Sequence, residues 1–203
     1  MNAILKLSDS ALAALPVGGR GLAERLSSKY PDLVTGSFLL PGRAGRFAPF
    51  PEDIPKKLIE ALRARDLEQL YAHQVQAWEA SQSGANIVVA TPTASGKSLC
   101  YTLPVVAAAL REGSKALYLF PTKALAQDQV AELLELNRAG ELGLRAATFD
   151  GDTPGDARQA IRLNGDIVVS NPDMLHQAIL PHHTKWAQFF EILRYVVIDE
   201  VHT

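Results

Sequence analysis

Read for its apolar and polar positions, the chain changes character at residue 86. From there the short apolar runs NIVVA (86–90), KALYLF (115–120), LRAATF (144–149), DIVVS (166–170) and YVVID (195–199) alternate with stretches of helical spacing. The runs lack polar alternation, which suits strands buried on both faces. Strand–helix alternation of this kind builds a mostly parallel sheet flanked by helices, an α/β fold. Helices are expected near 97–111, 123–138, 154–163, 172–180 and 184–193. Asn171-Pro172-Asp173 reads as a helix start: a capping amide, a proline at the first turn and a carboxylate at the positive end of the dipole. Pro104 falls inside the first of these helices and predicts a kink or an early end.

Upstream the pattern loosens. Residues 1–30 read as one or two short helices broken by Pro16-Val-Gly-Gly-Arg-Gly21. Pro31, Pro41, Pro49, Pro51 and Pro55 then argue for an extended connection. Two helical segments follow. In the second, Tyr71, Val75 and Trp78 share one face and Gly84 is a natural stop. The expected organisation is therefore an N-terminal extension and linker over 1–55 and an α/β domain over 56–203.

Composition changes this picture little. With 47% hydrophobic and 21% charged residues the chain reads as a soluble globular protein. A net charge of −2 advertises no strongly basic face, yet a few positioned groups suffice to hold phosphates. The single cysteine, Cys100, excludes an internal disulfide and a cysteine-built zinc site and reads as core. His176, His182 and His183 lack the spacing of a metal site and read as a loop cluster. No run reaches membrane-spanning length and no signal-peptide layout is present, so a cytoplasmic protein without a membrane partner is expected.

Candidate chemistry gathers at two strand ends. Behind NIVV comes TPTASGKS, linking an expected strand to an expected helix. Backbone N–H groups of such a loop converge with the helix N-terminus on one spot and bind phosphate oxygens. Thr91, Pro92, Thr93, Ala94, Ser95 and Gly96 would form the cradle, with Gly96 letting the backbone approach closely. Lys97 would reach the β- and γ-phosphates and the Ser98 hydroxyl would ligate Mg²⁺. A capped turn with a solvated lysine explains Gly-Lys-Ser alone equally well. The second strand end decides. Asp199 and Glu200 stand at the C-terminal tip of an apolar strand, the edge where open α/β sheets bind ligands. Adjacent carboxylates repel unless a cation sits beside them. Asp199 is placed to hold Mg²⁺, mostly through water, and Glu200 to polarise the attacking water. Together the two signals make the loop a nucleoside triphosphate site.

At these residues the chain resembles a known family. DEVH at 199–202 is similar to the motif II box of superfamily 2 helicases, and the other signatures follow in that family's order. Gln74, in LYAHQ, resembles the glutamine that reads the adenine edge. FPTKALAQDQ (120–129) resembles motif Ia and VVSNPDML (168–175) motif Ib. The resemblance implies a RecA-like P-loop fold, ATP and Mg²⁺ as cofactors, and nucleic-acid contacts from Thr122, Lys123, Asn171 and Asp173. It implies a coupling role for His202. Helix capping also explains Gln74, Thr122 and Asn171. Phe47 and Phe50 either stack on adenine near Gln74 or, the commoner fate, anchor the Pro-rich segment by burial. The loop departs from the family's usual T-G-S-G-K-T in having Ala94 for the inner glycine, a position that supplies no side-chain ligand.

The longer string APFPE, LYAHQ, ATPTASGKSLCY, FDGDTP and LRYVVIDEVHT, within residues 44–203, is similar to bacterial DNA-repair helicases related to mitomycin repair factor A and their fungal RecQ4-like relatives. That likeness implies ATP-dependent 3′-to-5′ translocation on single-stranded or forked DNA. In that family a further strand carrying motif III inserts between the loop strand and the DEVH strand, and a second RecA-like domain in cis supplies arginines. Neither follows Thr203, so the chain is expected to be a C-terminally truncated first RecA-like domain, inactive alone. Two other readings stay open: a nucleotide- and nucleic-acid-binding module without catalysis, and an RNA helicase or related translocase.

Overall fold

The structure, a computed structural model, describes residues 19–35, 45–91 and 95–200. The chain divides into two compact units, Met1–Gly45 and Arg46–Thr203. In the first, helix α1 spans Gly19–Lys29. The second unit begins ahead of the Lys56 boundary expected above. Strand β1 (Phe47–Ala48) pairs antiparallel with β2 (Leu70–Tyr71), and Ile54 is buried in the core. The prolines here hold the chain extended, and extended chain can pair.

Strands β3 (Lys115–Leu119), β4 (Ala146–Thr148), β5 (Ile167–Ser170) and β6 (Leu193–Ile198) form one parallel sheet in the order β4-β5-β3-β6. Strand β3 is buried along its whole length because its residues alternate between two covered faces. Ala116 and Tyr118 share a core with Leu58 and Leu62 of α2 (Lys56–Arg63), Trp78 of α3 (Ala72–Gln82), Leu103 and Val106 of α4 (Ser98–Glu112), and Leu133 and Leu136 of α5 (Lys123–Gly140). On the opposite face Leu117 and Leu119 pack with Phe149, Val168, Ile179, Trp186 and Phe189. Helix α6 spans Gly155–Asn164. No helix among the described residues is long and apolar enough to cross a membrane.

Four local expectations are corrected. Residues 85–91 form no strand, and Val88 is 95% exposed. A cleft of about 430 Å³ separates residues 85–89 from β6, so the backbone there finds no ladder partner among the described residues. For the same reason β6 is not buried on both faces: Tyr195 and Val197 pack on the core, whereas Val196 and Ile198 are more than half exposed. Of the kink or early end expected at Pro104, the early end does not occur: α4 runs to Glu112 with the proline buried. The two helices expected over 172–193 are instead a short α-turn α7 (Pro172–Met174), a π-turn (Leu175–Ile179), a 3₁₀ segment (Leu180–Trp186) and α8 (Ala187–Glu191). Pro181 withholds a donor there, and burial of Ile179, Trp186 and Phe189 sets the winding.

Helix α5 ends where it crosses α2. A Cβ built on Gly140 would stand 2.6 Å from Ala61 Cβ and 3.1 Å from Lys57 O. Helix propensity alone favours alanine by about 1 kcal/mol. Overpacking should win, and Gly140→Ala is expected to destabilise the chain by about 1–3 kcal/mol in urea unfolding; a stabilised variant would show that the crossing has slack.

Candidate nucleotide site at the carboxyl edge of the sheet

The loop before α4 is tied down at both ends. Gly96 has φ +74°, the left-handed region that favours glycine, and a Cβ there would meet Gln74 Nε2 at 2.8 Å. Gln74 is buried and uses both ends of its amide: Oε1 accepts from Tyr71 N–H at 2.8 Å, and Nε2 donates to Gly96 O at 2.8 Å. The glutamine thus closes the first turn of α3 and holds the loop's glycine. Lys97 Nζ donates to Thr91 O at 3.0 Å, and the Thr91 and Ser95 hydroxyls lie 2.6 Å apart. Pro92, Thr93 and Ala94, in the middle of the cradle, lie outside the described residues, as does His202.

The acidic pair is positioned by the sheet. Asp199 N–H donates to Leu119 O at 3.0 Å, which carries the β6–β3 ladder one residue past the strand. Its Oδ1 accepts from Glu200 N–H at 2.8 Å, and its Oδ2 lies 3.1 Å from the Tyr101 hydroxyl. Glu200 has φ +52°, which is strained for a residue with a Cβ. Burial, then the neighbouring Asp199 charge, pushes the Tyr101 pKa far up, so the phenol stays protonated and can donate. Burial likewise pushes the Cys100 thiol up to about 11, as suits an inert core residue.

Lys97 and Asp199 line one cleft, together with Tyr101, residues 85–89 and β6. Gly96 and Ser98 open onto a neighbouring cavity of about 320 Å³, with Thr102, Gln129, Glu132 and Arg65 on its walls. The structure therefore places the loop lysine and the strand-end carboxylate on the walls of one cleft, with Ser98 on the wall of the second cavity.

The residues expected at nucleic acid stand along the same sheet edge, and Thr122, Lys123 and Asn171 each make a local structural bond. Thr122 caps α5, accepting from Leu125 N–H at 3.3 Å, and Asn171 caps α7, accepting from Met174 N–H at 2.8 Å. Asp173 is exposed. Lys123 Nζ is 2.6 Å from Asp152 Oδ2; the shared hydrogen bond raises the lysine's pKa and lowers that of the aspartate. Asp152 belongs to a preorganised turn. Asp150 Oδ1 accepts from Asp152 N–H at 2.9 Å, and the Arg158 guanidinium donates to the carbonyls of Thr153, Asp150 and Gly151.

Sequence reasoning missed several of these residues. Tyr101 and Gln129 meet at 3.0 Å, and Arg158 clamps its turn, without any spacing that signals either contact. The two phenylalanines differ in burial. Phe50 packs against the core beneath Arg63, whereas Phe47 is 55% exposed and stacked on Tyr71 with ring centroids 4.7 Å apart.

Comparison with known proteins bears on this geometry. A family model described as DEAD/DEAH box helicase matches residues 71–203. The uncharacterized ATP-dependent helicase YprA of Bacillus subtilis is 52% identical over 162 residues, covering 79% of this chain and 22% of that protein. The ATP-dependent helicase hrq1 of Schizosaccharomyces pombe is 40% identical over 166 residues, covering 80% of this chain and 16% of that one. The crystal structure of the DUF1998 helicase MrfA bound to DNA and AMPPNP superposes with a TM-score of 0.77 at 51% identity, covering 79% of this chain and 23% of that chain. The chain spans less than a quarter of the length of these relatives.

Gln74 gives this site a structural test that needs no ligand. Gln74→Ala leaves Tyr71 N–H and Gly96 O, both part-buried, without their partner, and because water can reach them in part the two losses together should cost about 1–3 kcal/mol. Thermal unfolding should register a loss in that range, and an unshifted midpoint would mean that the loop is not held through this side chain.

Proposed function

The chain belongs to the DEAD/DEAH box helicase family, and from that premise we propose that it forms the ATP-binding, RecA-like domain of an ATP-dependent DNA helicase. One observation carries the reading: the lysine of the Gly-Lys-Ser loop and the aspartate of the DEVH box, far apart in sequence, line one cleft that runs along β6 and reaches the carboxyl edge of the parallel sheet at Asp199. That edge is where such folds bind nucleotides. The domain so proposed begins at Arg46.

Each residue has a role that follows from its place. Lys97 supplies a mobile positive charge to the β- and γ-phosphates, exchanging its bond to Thr91 O for phosphate oxygens. Gly96 and the N-terminus of α4 offer backbone donors. Phe47, stacked on Tyr71 beside Gln74, presents a ring face for adenine, while Gln74 retains unused amide valence for its polar edge. Glu200 is the base toward the attacking water. Mg²⁺ fits the donor set. No group of three or more His, Cys, Asp or Glu among the described residues could hold a metal alone. This ion ordinarily takes one or two carboxylates plus water and substrate phosphates. Asp199 and the Ser98 hydroxyl would hold it, and bound there it neutralises charge on the phosphates.

For the nucleic acid, exposed Thr122 and Lys123, with Asn171, form a row at the ends of β3 and β5 that suits a phosphodiester backbone, while the exposed Asp173 carboxylate, which repels phosphate, is suited to accept from a sugar hydroxyl or a base N–H. DNA rather than RNA is the reading supported by the DNA in the MrfA complex; 3′-to-5′ movement and a role in DNA repair rest only on the resemblance of the sequence motifs to that branch. The cleft between residues 85–89 and β6 supports the arrangement in which another strand runs between them.

Lys97→Ala should weaken binding of a fluorescent ATP analogue by about 10- to 100-fold through loss of a charged hydrogen bond, while unfolding free energy moves by no more than about 0.5 kcal/mol. Unchanged affinity would refute the site. Glu200→Gln in the full-length helicase should keep nucleotide binding and lose turnover, because an amide cannot take the proton from water. Wild-type turnover in that variant would remove Glu200 from the reaction.

A further inference from the structure

One part-buried polar contact at the sheet edge belongs to neither the phosphate loop nor the acidic pair alone. The Tyr101 hydroxyl, on α4, stands 3.1 Å from Asp199 Oδ2 and 3.0 Å from the side-chain amide oxygen of Gln129 on α5. Gln129 is 6% exposed. A phenol has one proton and cannot donate in both directions. The ionised carboxylate is the stronger acceptor, so the proton goes to Asp199. An amide turned by half a revolution fills the same space and then donates its N–H to the Tyr101 oxygen. The result is a directed chain in which Gln129 donates to Tyr101 and Tyr101 donates to Asp199. Glu200 N–H holds the other Asp199 oxygen at 2.8 Å, so the carboxylate is pinned at both ends.

We propose that Tyr101 is a positioning residue: it fixes the Asp199 carboxylate for the metal–nucleotide complex and ties it, through Gln129, to helix α5. The proposal rests on the reading of Asp199 as the Mg²⁺-side carboxylate. Helix α5 begins at Lys123, behind its cap Thr122, the groups assigned to nucleic acid, and Gln129 lies about 9 Å further along the helix axis. Three elements thereby meet at one hydroxyl. A movement of α5 when a phosphodiester docks at its N-terminus is passed to Asp199 through two hydrogen bonds. Reciprocity requires that occupancy at Asp199 bear equally on nucleic-acid affinity.

The competing explanation is packing, since the Tyr101 ring also meets Tyr118 edge-on at 5.3 Å. Tyr101→Phe separates the two because it keeps the ring and removes only the hydroxyl. The experiment measures binding of a fluorescent ATP analogue to the full chain, as a function of Mg²⁺ and with or without a single-stranded oligonucleotide. Tyr101→Phe is expected to raise the Mg²⁺ midpoint by about tenfold, the effect of one hydrogen bond to a charged group. Affinity measured in EDTA should stay near that of the unsubstituted chain, and the factor by which the oligonucleotide strengthens binding should fall toward one. Gln129→Met, which leaves the Tyr101–Asp199 bond in place, should lower that factor while sparing the Mg²⁺ midpoint. An unchanged Mg²⁺ midpoint and unchanged factor in Tyr101→Phe overturn the positioning role, whatever happens to thermal stability. An unchanged factor in Gln129→Met overturns the tie to α5. If the unsubstituted chain binds no Mg²⁺–nucleotide, this proposal and the nucleotide-site reading fall together; if Lys97→Ala weakens binding as expected and Tyr101→Phe is silent, this one falls alone.

Discussion

Every backbone group of the central strand β3 is buried and must find a partner in the sheet, and this constraint organises the rest of the molecule. Strands β5 and β6 meet it by running parallel on either side, in register with Ala116–Leu119. Parallel register has a consequence beyond stability. All the strands end at the same side, so whatever follows them in sequence is delivered to one edge. Pro121-Thr122-Lys123 follows β3, Asn171 follows β5 and Asp199-Glu200 follows β6. The acidic pair and the residues after β3 and β5 are gathered by the ladder, whereas the phosphate loop, which follows no strand among the described residues, is held in place by Gln74.

Several side chains at that edge carry structural bonds that any ligand would have to share or displace. Gln74 spends its amide on Tyr71 and Gly96, and Lys97 spends its ammonium on Thr91 O. Thr122 and Asn171 cap helices, and Asp199 is held by Tyr101 and Glu200 N–H. These bonds differ in how readily they yield. A lysine on a carbonyl loses little by moving to a phosphate oxygen, because the new bond is charge-assisted on both sides. A capping oxygen cannot leave without stranding a helix N–H, so Thr122 and Asn171 are better suited to present exposed backbone N-termini than to offer their own side chains.

Electrostatics at the edge is arranged locally rather than by bulk charge. The chain has a net charge of −2, and the exposed Lys123 already faces Asp152. Attraction for phosphate must then come from helix N-termini and from individual cations that can exchange partners, such as Lys97. The turn at 150–153, stiffened by Arg158 on three carbonyls and by that guanidinium stacked 5.4 Å above Phe149, keeps the Asp152 carboxylate at a set place beside Lys123.

What could be read without coordinates was whatever depends on neighbours in the chain. Apolar runs such as KALYLF and DIVVS announced strands, Asn171 and Thr122 announced helix starts, and the Gly-Lys-Ser loop and the Asp-Glu pair announced chemistry at element ends, because period, capping and turn geometry act over a few residues. The likeness of the motifs to a helicase family was legible for the same reason. Partnership was not. NIVVA has the composition of a buried strand, yet a strand exists only beside another, and here a cleft lies where its partner would be. The half-exposure of β6 and the mixed winding of residues 172–191 were decided the same way, by which surfaces found cover. Tyr101, Gln129 and Asp199 look unrelated in the sequence, separated by 28 and 98 positions from the tyrosine. Only the tertiary structure made them neighbours, because a hydrogen bond needs both groups at one point in space and local periodicity specifies neither.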